Sequence, residues 1–193
     1  GEYPELQGIM GKYFALAQGF EEEVANAVSD HYLPTGVSSP VPKKPLSYAI
    51  SVIDKLDSLV GFFLINEKPT SSKDPFALRR AAIGLLRIVI ENNLELKLKD
   101  LISYAARLYA DQGVKVENNQ VEKDILDFLK ERMRNILKEK KIKPDIIEAA
   151  ISSHIGDNYL VLYKKSIVMN KNFNKDIGKN AIYSFKRASS ILD

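Results

Sequence analysis

The sequence has 193 residues, 45% of them hydrophobic, which is ordinary for a globular protein and enough for one large domain or two small ones. It contains no cysteine and two histidines, which excludes disulfides and thiolate metal sites and argues against a self-sufficient zinc or di-iron centre. No uncharged apolar run of about 18 residues occurs, and no basic segment precedes an apolar one at the start. We therefore predict no membrane span and no signal peptide, and we expect a cytoplasmic protein.

The formal net charge of +3 is distributed unevenly along the chain. Residues 1–129 hold 14 basic and 18 acidic side chains, whereas residues 130–193 hold 14 basic and 7 acidic ones. The last third is therefore strongly basic, which favours a polyanionic partner for that part of the chain. The lysine-rich segment 138–143 also fits a solvated helix end, and the sequence leaves both interpretations open.

The first two predicted helices span Pro4–Ala17 and Glu21–Leu33. The second is ended by Pro34, and residues 35–45, rich in proline, serine and glycine, are predicted to form a surface loop. Apolar residues of the first helix recur at helical spacing, which predicts that they face the core: Leu6, Ile9, Met10, Tyr13 and Phe14.

Two apolar helices joined by a short basic loop are predicted between Leu46 and Ile90, and we expect the fold to be organised around them. One stripe of the first helix is predicted to face the core: Ala49, Ile53, Leu56, Val60 and Leu64. The opposite face carries small side chains and one carboxylate that we expect to be buried among them: Ser47, Ser51, Asp54, Ser58 and Gly61. Such a face admits a close neighbouring element or frames a polar site.

The connecting loop, Glu67–Lys73, leads into a predicted helix whose N-cap is Asp74 and whose first helical residue is Pro75. Four cations lie on this loop or just beyond it: Lys68, Lys73, Arg79 and Arg80. Free backbone N–H groups at a helix N-terminus attract phosphate, so this region is a candidate for contact with an RNA backbone. Alternatively, Arg79 and Arg80 pair with carboxylates of the preceding helix, and the loop is a structural clasp.

Five further helices are predicted after Asn93, over residues 99–111, 119–141, 144–155, 158–168 and 176–192. The longest is the helix over 119–141, with a core stripe at Ile125, Leu129, Met133 and Ile136. The sequence shows no sustained β-alternation. We therefore predict an all-α array of about eight or nine helices.

The most distinctive segments of the sequence are DKLDSLVGFF and EKPTSSKDPFALRRAA in its central region. Around them occur GEYPELQGIMGKYFA, DHYLP, FLKERMRNIL, KPDIIEAAI and YSFKRASSIL. In this order they resemble the bacterial glycyl-tRNA synthetase beta subunit over nearly the whole chain, as a piece cut from the C-terminal half of a longer polypeptide. The resemblance implies part of an HD-domain-like helical domain, a helical linker and the start of a DALR-type anticodon-binding domain. We assign them to residues 1–95, 96–156 and 157–193, with a first boundary near 113–120 as the alternative.

The I-D-K-L-D segment around Asp54 resembles the final aspartate helix of HD-superfamily phosphohydrolases, in which the aspartate is a metal ligand. A complete HD site needs several histidines and an adjacent His-Asp pair, because the ion must be held by converging nitrogen and oxygen ligands. Here His31 and His154 are the only histidines, and Asp30-His31 has the reverse order. We therefore expect no metal site. Asp54 and His31 are at most vestigial ligands, with a structural role for Asp54 and a capping or packing role for His31 as the alternatives.

The segment around Lys179, Lys186 and Arg187 resembles the helix that opens the family's anticodon-binding domain. The resemblance makes these three cations candidates for RNA contact. In an isolated helix the same residues would simply be amphipathic.

No arrangement of residues supports covalent or acid-base catalysis, so we assign no catalytic residue. The resemblance implies that ATP-dependent glycine activation belongs to a separate alpha subunit, while this piece grips and orients tRNA without a cofactor of its own. We therefore expect a tRNA-binding scaffold of glycine–tRNA ligase, with tRNA(Gly) and the alpha subunit as partners in an α2β2 heterotetramer and no membrane contact. The alternatives are a metal-dependent HD-type phosphohydrolase and a purely structural subunit-contact module.

Overall fold

The computed structural model describes residues 3–36, 38–70, 72–115, 118–154, 156–173 and 175, and the single residues 178, 180, 183, 184 and 187. In this part of the chain it contains a 3₁₀ turn, eight α-helices and no β-strand. The turn is Pro4–Leu6, and the helices are α1 (Ile9–Ala17), α2 (Glu22–Asp30), α3 (Pro45–Leu64), α4 (Leu78–Glu91), α5 (Leu98–Asp111), α6 (Asn118–Glu139), α7 (Pro144–Ser152) and α8 (Tyr159–Phe173). The all-α prediction is confirmed, whereas the helix predicted over 176–192 falls mostly on residues outside the description.

One buried apolar cluster joins α3 to α8, and α6 is its central element. Helix α6 packs against α3, α4, α5, α7 and α8. Its predicted core stripe is confirmed, since four side chains at helical spacing are buried: Ile125, Leu129, Met133 and Ile136. The cluster extends from Val41 to Leu162 without a break at residue 95 or residue 156. The proposed division into three domains, and the HD-like character of the first, stay predictions.

Helix α1 turns its small residues, not its large apolar ones, toward the protein. The stripe predicted to face the core is exposed by 38% to 63%: Leu6, Ile9, Met10, Tyr13 and Phe14. The side toward α2 instead carries Gly8 and Gly11, where an added Cβ would lie 2.7 Å from the Ser29 carbonyl oxygen and 2.8 Å from Val28 Cγ1, respectively. The prediction that this stripe faces the core was therefore wrong. Periodicity could not show that the glycines let two helices approach closely on the other side.

The small-residue face of α3 admits close neighbours, as predicted. Ser47 Oγ donates a hydrogen bond to Asp30 Oδ2 at 2.8 Å, and Ser51 Oγ donates to the Leu33 carbonyl oxygen at 2.6 Å. Both serines are fully buried. Farther along α3, an added Cβ at Gly61 would lie 2.6 Å from the hydroxyl oxygen of Tyr109 on α5. The face is therefore a packing surface for the end of α2 and for α5.

The buried charge on α3 is Lys55, not Asp54, and the prediction of a buried carboxylate was wrong. Lys55 is 5% exposed, whereas the Asp54 side chain is 47% exposed. The Lys55 ammonium donates to the His31 carbonyl oxygen at 3.0 Å and to Ser51 Oγ at 2.9 Å. Ala49 and Ile53, which were both predicted to face the core, are exposed, Ile53 by 59%. The two errors have one cause, since the buried arc of α3 lies about one residue away from the predicted one.

Helix α4 passes directly over the Lys55 side chain. A Cβ added at Gly84 would lie 3.0 Å from Lys55 Cε and 3.4 Å from Pro34 Cδ. Gly84 therefore makes room for the lysine between α3, α4 and the chain that follows α2. Burial lowers the pKa of Lys55 from its ordinary value of 10.5, although neighbouring Asp54 acts in the opposite direction.

Ser51→Ala is expected to lower the free energy of unfolding by about 1–3 kcal/mol, because it leaves a partly buried carbonyl and a buried ammonium each one partner short. Denaturant unfolding measures the change. Ser58→Ala, at a partly buried position of the same helix, is the matched control and should change stability by less. Equal losses in the two variants would contradict the role given to Ser51.

Lys55→Met should change how stability depends on pH. Since the folded-state pKa of Lys55 lies below 10.5, the unfolded chain binds more protons in the interval between the two values. The free energy of unfolding of the parent, minus that of the variant, should therefore rise with pH through that interval. Denaturant unfolding at several alkaline pH values measures this difference. Lys97→Met, at an exposed position, is the control. A difference for Lys55→Met that stays flat or falls with pH would contradict the lowered pKa of Lys55.

Candidate nucleic-acid interface

The basic loop between α3 and α4 does not offer a free helix N-terminus. Helix α4 begins at Leu78, three residues later than predicted, and Ala77 just before it has left-handed backbone angles (φ 54°). Pro75 is therefore outside the helix. The Asp74 carboxylate still accepts hydrogen bonds from the backbone N–H groups of Leu78 at 2.8 Å and Arg79 at 3.0 Å. A carboxylate of the chain thus occupies the place where phosphate was expected to bind.

Two of the four loop cations hold the loop in place. Lys68 Nζ lies 2.5 Å from Asp124 Oδ2 on α6 and 5.9 Å from the centre of the Phe63 ring. The Arg79 guanidinium donates to the Thr70 carbonyl oxygen, and its Nη1 lies 3.9 Å from Asp74 Oδ2. These two cations form a clasp that differs from the predicted alternative to RNA contact, in which Arg79 and Arg80 were paired. Their carboxylate partners come from the loop and from α6, not from the preceding helix.

The other two loop cations are available to a partner. Lys73 and Arg80 are exposed, and neither makes an ion pair or side-chain hydrogen bond with the described residues. We call this pair the basic rim. Lys73 precedes α4 and Arg80 is the third residue of that helix, so the clasp presents the two side chains on a fixed backbone.

Sequence reasoning missed Arg132 on α6. Its guanidinium lies 4.7 Å above the centre of the Phe128 ring, and its buried Nε has no hydrogen-bond partner among the described residues. Burial lowers the pKa of Arg132, and the positive charge of Arg79 lowers it further. The charge of Arg79 is therefore close enough to act on Arg132, although Glu131 and Asp74 act on its pKa in the opposite direction. The R-M-R segment was the sequence signal, but no pattern in it shows that α6 runs past the loop.

Of the three C-terminal cations predicted to contact RNA, Arg187 alone lies in the part of the chain that the structure describes. Arg187 lies with its guanidinium carbon 5.9 Å from the centre of the Tyr183 ring. Lys179 and Lys186 lie outside the described residues. Nearer the middle of the chain, Arg134 pairs with Glu148 at 2.9 Å and with Glu131. The lysines at the end of α6 are exposed: Lys138, Lys140, Lys141 and Lys143.

The two vestigial metal-ligand candidates occupy ordinary structural surroundings. His31 follows α2, its Nδ1 lies 2.8 Å from the Val28 carbonyl oxygen, and its ring centre lies 3.9 Å from that of Tyr32. Asp54 is half-exposed, with Oδ2 3.9 Å from Lys55 Nζ. Among the described residues, no three histidine or carboxylate side chains converge as a metal site would require. In the same residues, no helix is both long and apolar enough to cross a bilayer.

Fold and surface together define the class of protein: an all-helical module that fixes a basic loop to its core and leaves part of the loop's charge exposed. A family model described as "Glycyl-tRNA synthetase beta subunit" matches residues 1–152. The chain therefore belongs to the glycyl-tRNA synthetase beta subunit family, which confirms the resemblance seen in its sequence.

Curated relatives named "Glycine--tRNA ligase beta subunit" match the chain from end to end. The protein of Ruegeria sp. (strain TM1040) is 41% identical over 99% of this chain, and that of Cereibacter sphaeroides (strain ATCC 17023) is 41% identical over 100% of it. The protein of Dinoroseobacter shibae is 39% identical over 99% of the chain. The chain spans 26%, 28% and 30% of these relatives, respectively. It therefore corresponds to little more than a quarter of their length.

Asp124→Asn should weaken the clasp and flatten part of the acid dependence of stability. The hydrogen bond from Lys68 holds the pKa of Asp124 below its ordinary value of 3.8, and Gln120 adds to the effect. A lowered pKa contributes stability above 3.8 that is lost as pH falls through the folded-state value. Because the pair is partly solvated, we expect a loss of no more than about 1 kcal/mol at neutral pH.

Denaturant unfolding near pH 7 and near pH 3 measures that change. Asp127→Asn is the matched control, since its side chain is 56% exposed and pairs with Lys130 at a longer 3.5 Å. An Asp124→Asn variant that loses as much stability between the two pH values as the parent would refute the assignment.

Proposed function

We propose that this chain is a tRNA-binding, scaffolding portion of the beta subunit of a glycine–tRNA ligase. The observation that carries the proposal is the family match over residues 1–152, together with about 40% identity to curated beta subunits over the whole chain. In this proposal the chain supports ATP-dependent attachment of glycine to tRNA(Gly), and the alpha subunit carries out the chemistry. The partners are tRNA(Gly) and the alpha subunit in an α2β2 heterotetramer.

The arrangement of charge supports a binding role. In the clasp, Lys68 and Arg79 are bound to carboxylate or carbonyl groups of the protein. The backbone N–H groups at the start of α4 donate to Asp74. Phosphate contact then falls to the basic rim, where neither ammonium nor guanidinium must give up a described partner. Cations that are already paired would have to be freed before they could bind phosphate, whereas the rim is not subject to that cost.

The same proposal includes the division of the chain predicted from its sequence. Residues 1–95 belong to an HD-like helical domain, 96–156 to a helical linker, and 157–193 to the start of the anticodon-binding domain. Lys179, Lys186 and Arg187 are then the RNA-facing cations of that last portion. The excess of basic residues after position 130 supports this assignment.

Changing Lys73 and Arg80 together to Ala should weaken binding of tRNA(Gly) to this chain. Loss of two phosphate contacts should reduce the slope of log affinity against log salt concentration by about 1.4–1.8. Filter binding at several salt concentrations measures both quantities. Lys97→Ala, which removes an exposed lysine at the start of α5, is the matched control.

Lys68→Ala provides a second comparison, since its main expected effect is on stability and not on the salt slope. An unchanged affinity and slope in the double variant would exclude the basic rim as a phosphate-binding surface. A failure of the parent chain to bind tRNA(Gly) at low salt would exclude the tRNA-binding role itself.

A further inference from the structure

We propose that a depression beside the basic rim holds one unstacked nucleotide of single-stranded RNA, an inference that rests on the RNA-binding function proposed above. The depression has a volume of about 290 Å³, which is at the lower end of the range for small-ligand sites and suits a single nucleotide. It lies between the chain that follows α2, the exposed side of α3 and the start of α4. Among its lining residues are Gln7, Tyr32, Thr35, Asp54, Phe76 and Arg80.

An exposed aromatic ring of the depression is held in place by a second ring. Phe76 is 43% exposed, yet its ring is stacked on that of Phe62 with centres 3.9 Å apart and planes 18° apart. Tyr32 is 37% exposed, and its ring is backed by that of His31. A fixed, partly exposed ring loses little conformational entropy when a base stacks on it, and such stacking is the usual means of holding single-stranded RNA.

Groups of opposite charge line the depression: Asp54, Arg80 and the buried ammonium of Lys55, which lies 3.9 Å from Asp54 Oδ2. Arg80 is exposed without a described partner, and the Asp54 carboxylate is 47% exposed. A nucleotide matches both groups, because its phosphate can accept from a guanidinium while its ribose 2′-hydroxyl or a base amino group donates to a carboxylate. A purely anionic ligand has no hydrogen-bond donor to offer the Asp54 carboxylate. The combination therefore favours ribonucleotide over free phosphate.

The exposed ring can be reached by a base of single-stranded RNA but not by a base inside a duplex. Bases inside an A-form duplex are stacked and paired, so only a loop, an end or another single-stranded segment can present a free base face. The depression should therefore discriminate by strand state. The basic rim alone, which contacts phosphate, would not do so.

The test measures binding of a single-stranded RNA hexanucleotide, a duplex of the same length and the corresponding DNA hexanucleotide to the 193-residue chain. The parent should prefer the single-stranded RNA to both. Phe76→Leu should weaken its binding by about five-fold to a hundred-fold, from loss of one stacked base, with the salt slope unchanged. Phe76→Tyr should retain the parent's affinity, and Asp54→Asn should reduce the preference for RNA over DNA.

Phe20→Leu is the matched control, because Phe20 is also exposed but lies between α1 and α2, away from the lining. Thermal unfolding checks that each variant is folded, and Asp54→Asn gives an independent answer should Phe76→Leu be unfolded. The site is refuted if the parent binds duplex and single strand equally, if folded Phe76→Leu equals Phe20→Leu, or if Asp54→Asn leaves the RNA-to-DNA ratio unchanged. tRNA(Gly) binding that still depends on Lys73 and Arg80 would then leave the proposed function standing without the nucleotide site.

Discussion

The burial of the Lys55 ammonium is the constraint on which this structure depends. One side chain links three elements: its ammonium bonds to the His31 carbonyl after α2 and to Ser51 on α3, and its methylene chain runs under Gly84 of α4. A buried charge is tolerated only where its donors are satisfied, so the position of α2 relative to α3 is fixed by the lysine and not only by apolar contact. The same constraint turns Asp54, the next residue back along α3, outward toward solvent.

A similar logic governs the loop between α3 and α4. Four cations lie close together in sequence, but folding does not treat them alike. Lys68 is held by Asp124 of α6, and Arg79 by groups within the loop, while Asp74 caps the helix that follows. Two of the four cations are therefore paired within the protein, and their contacts fix the backbone that carries the other two. For the RNA-binding role that we propose, this arrangement means that less ordering remains to be done on binding.

Sequence patterns predicted the helices well and the orientation of some of them poorly. The α6 stripe through Ile125 and Leu129 was predicted correctly because α6 contacts five other helices. Its apolar side chains are therefore buried whichever of these neighbours they face. On α1 the apolar face through Tyr13 and Phe14 was identified, but the structure leaves it exposed and packs Gly8 and Gly11 against α2. Periodicity measures where apolar residues lie on a helix. Which face a neighbour covers is decided by tertiary contacts such as glycine-mediated close approach, and those are not encoded in the period.

The site was predictable in composition but not in role, and the reason is distance along the chain. Residues of the loop could be recognised as basic, yet the partner that removes Lys68 from consideration, Asp124, lies 56 positions away. Likewise, Phe76 reads as one more apolar residue until its ring is found stacked on Phe62 and partly exposed beside Asp54 and Arg80. The RNA contacts that we propose thus lie at the junction of α3 and α4, where packing decides which side chains stay available to a partner. Once the core and the clasp have formed, the Arg80 guanidinium and part of the Phe76 ring stay exposed. Both line the same depression.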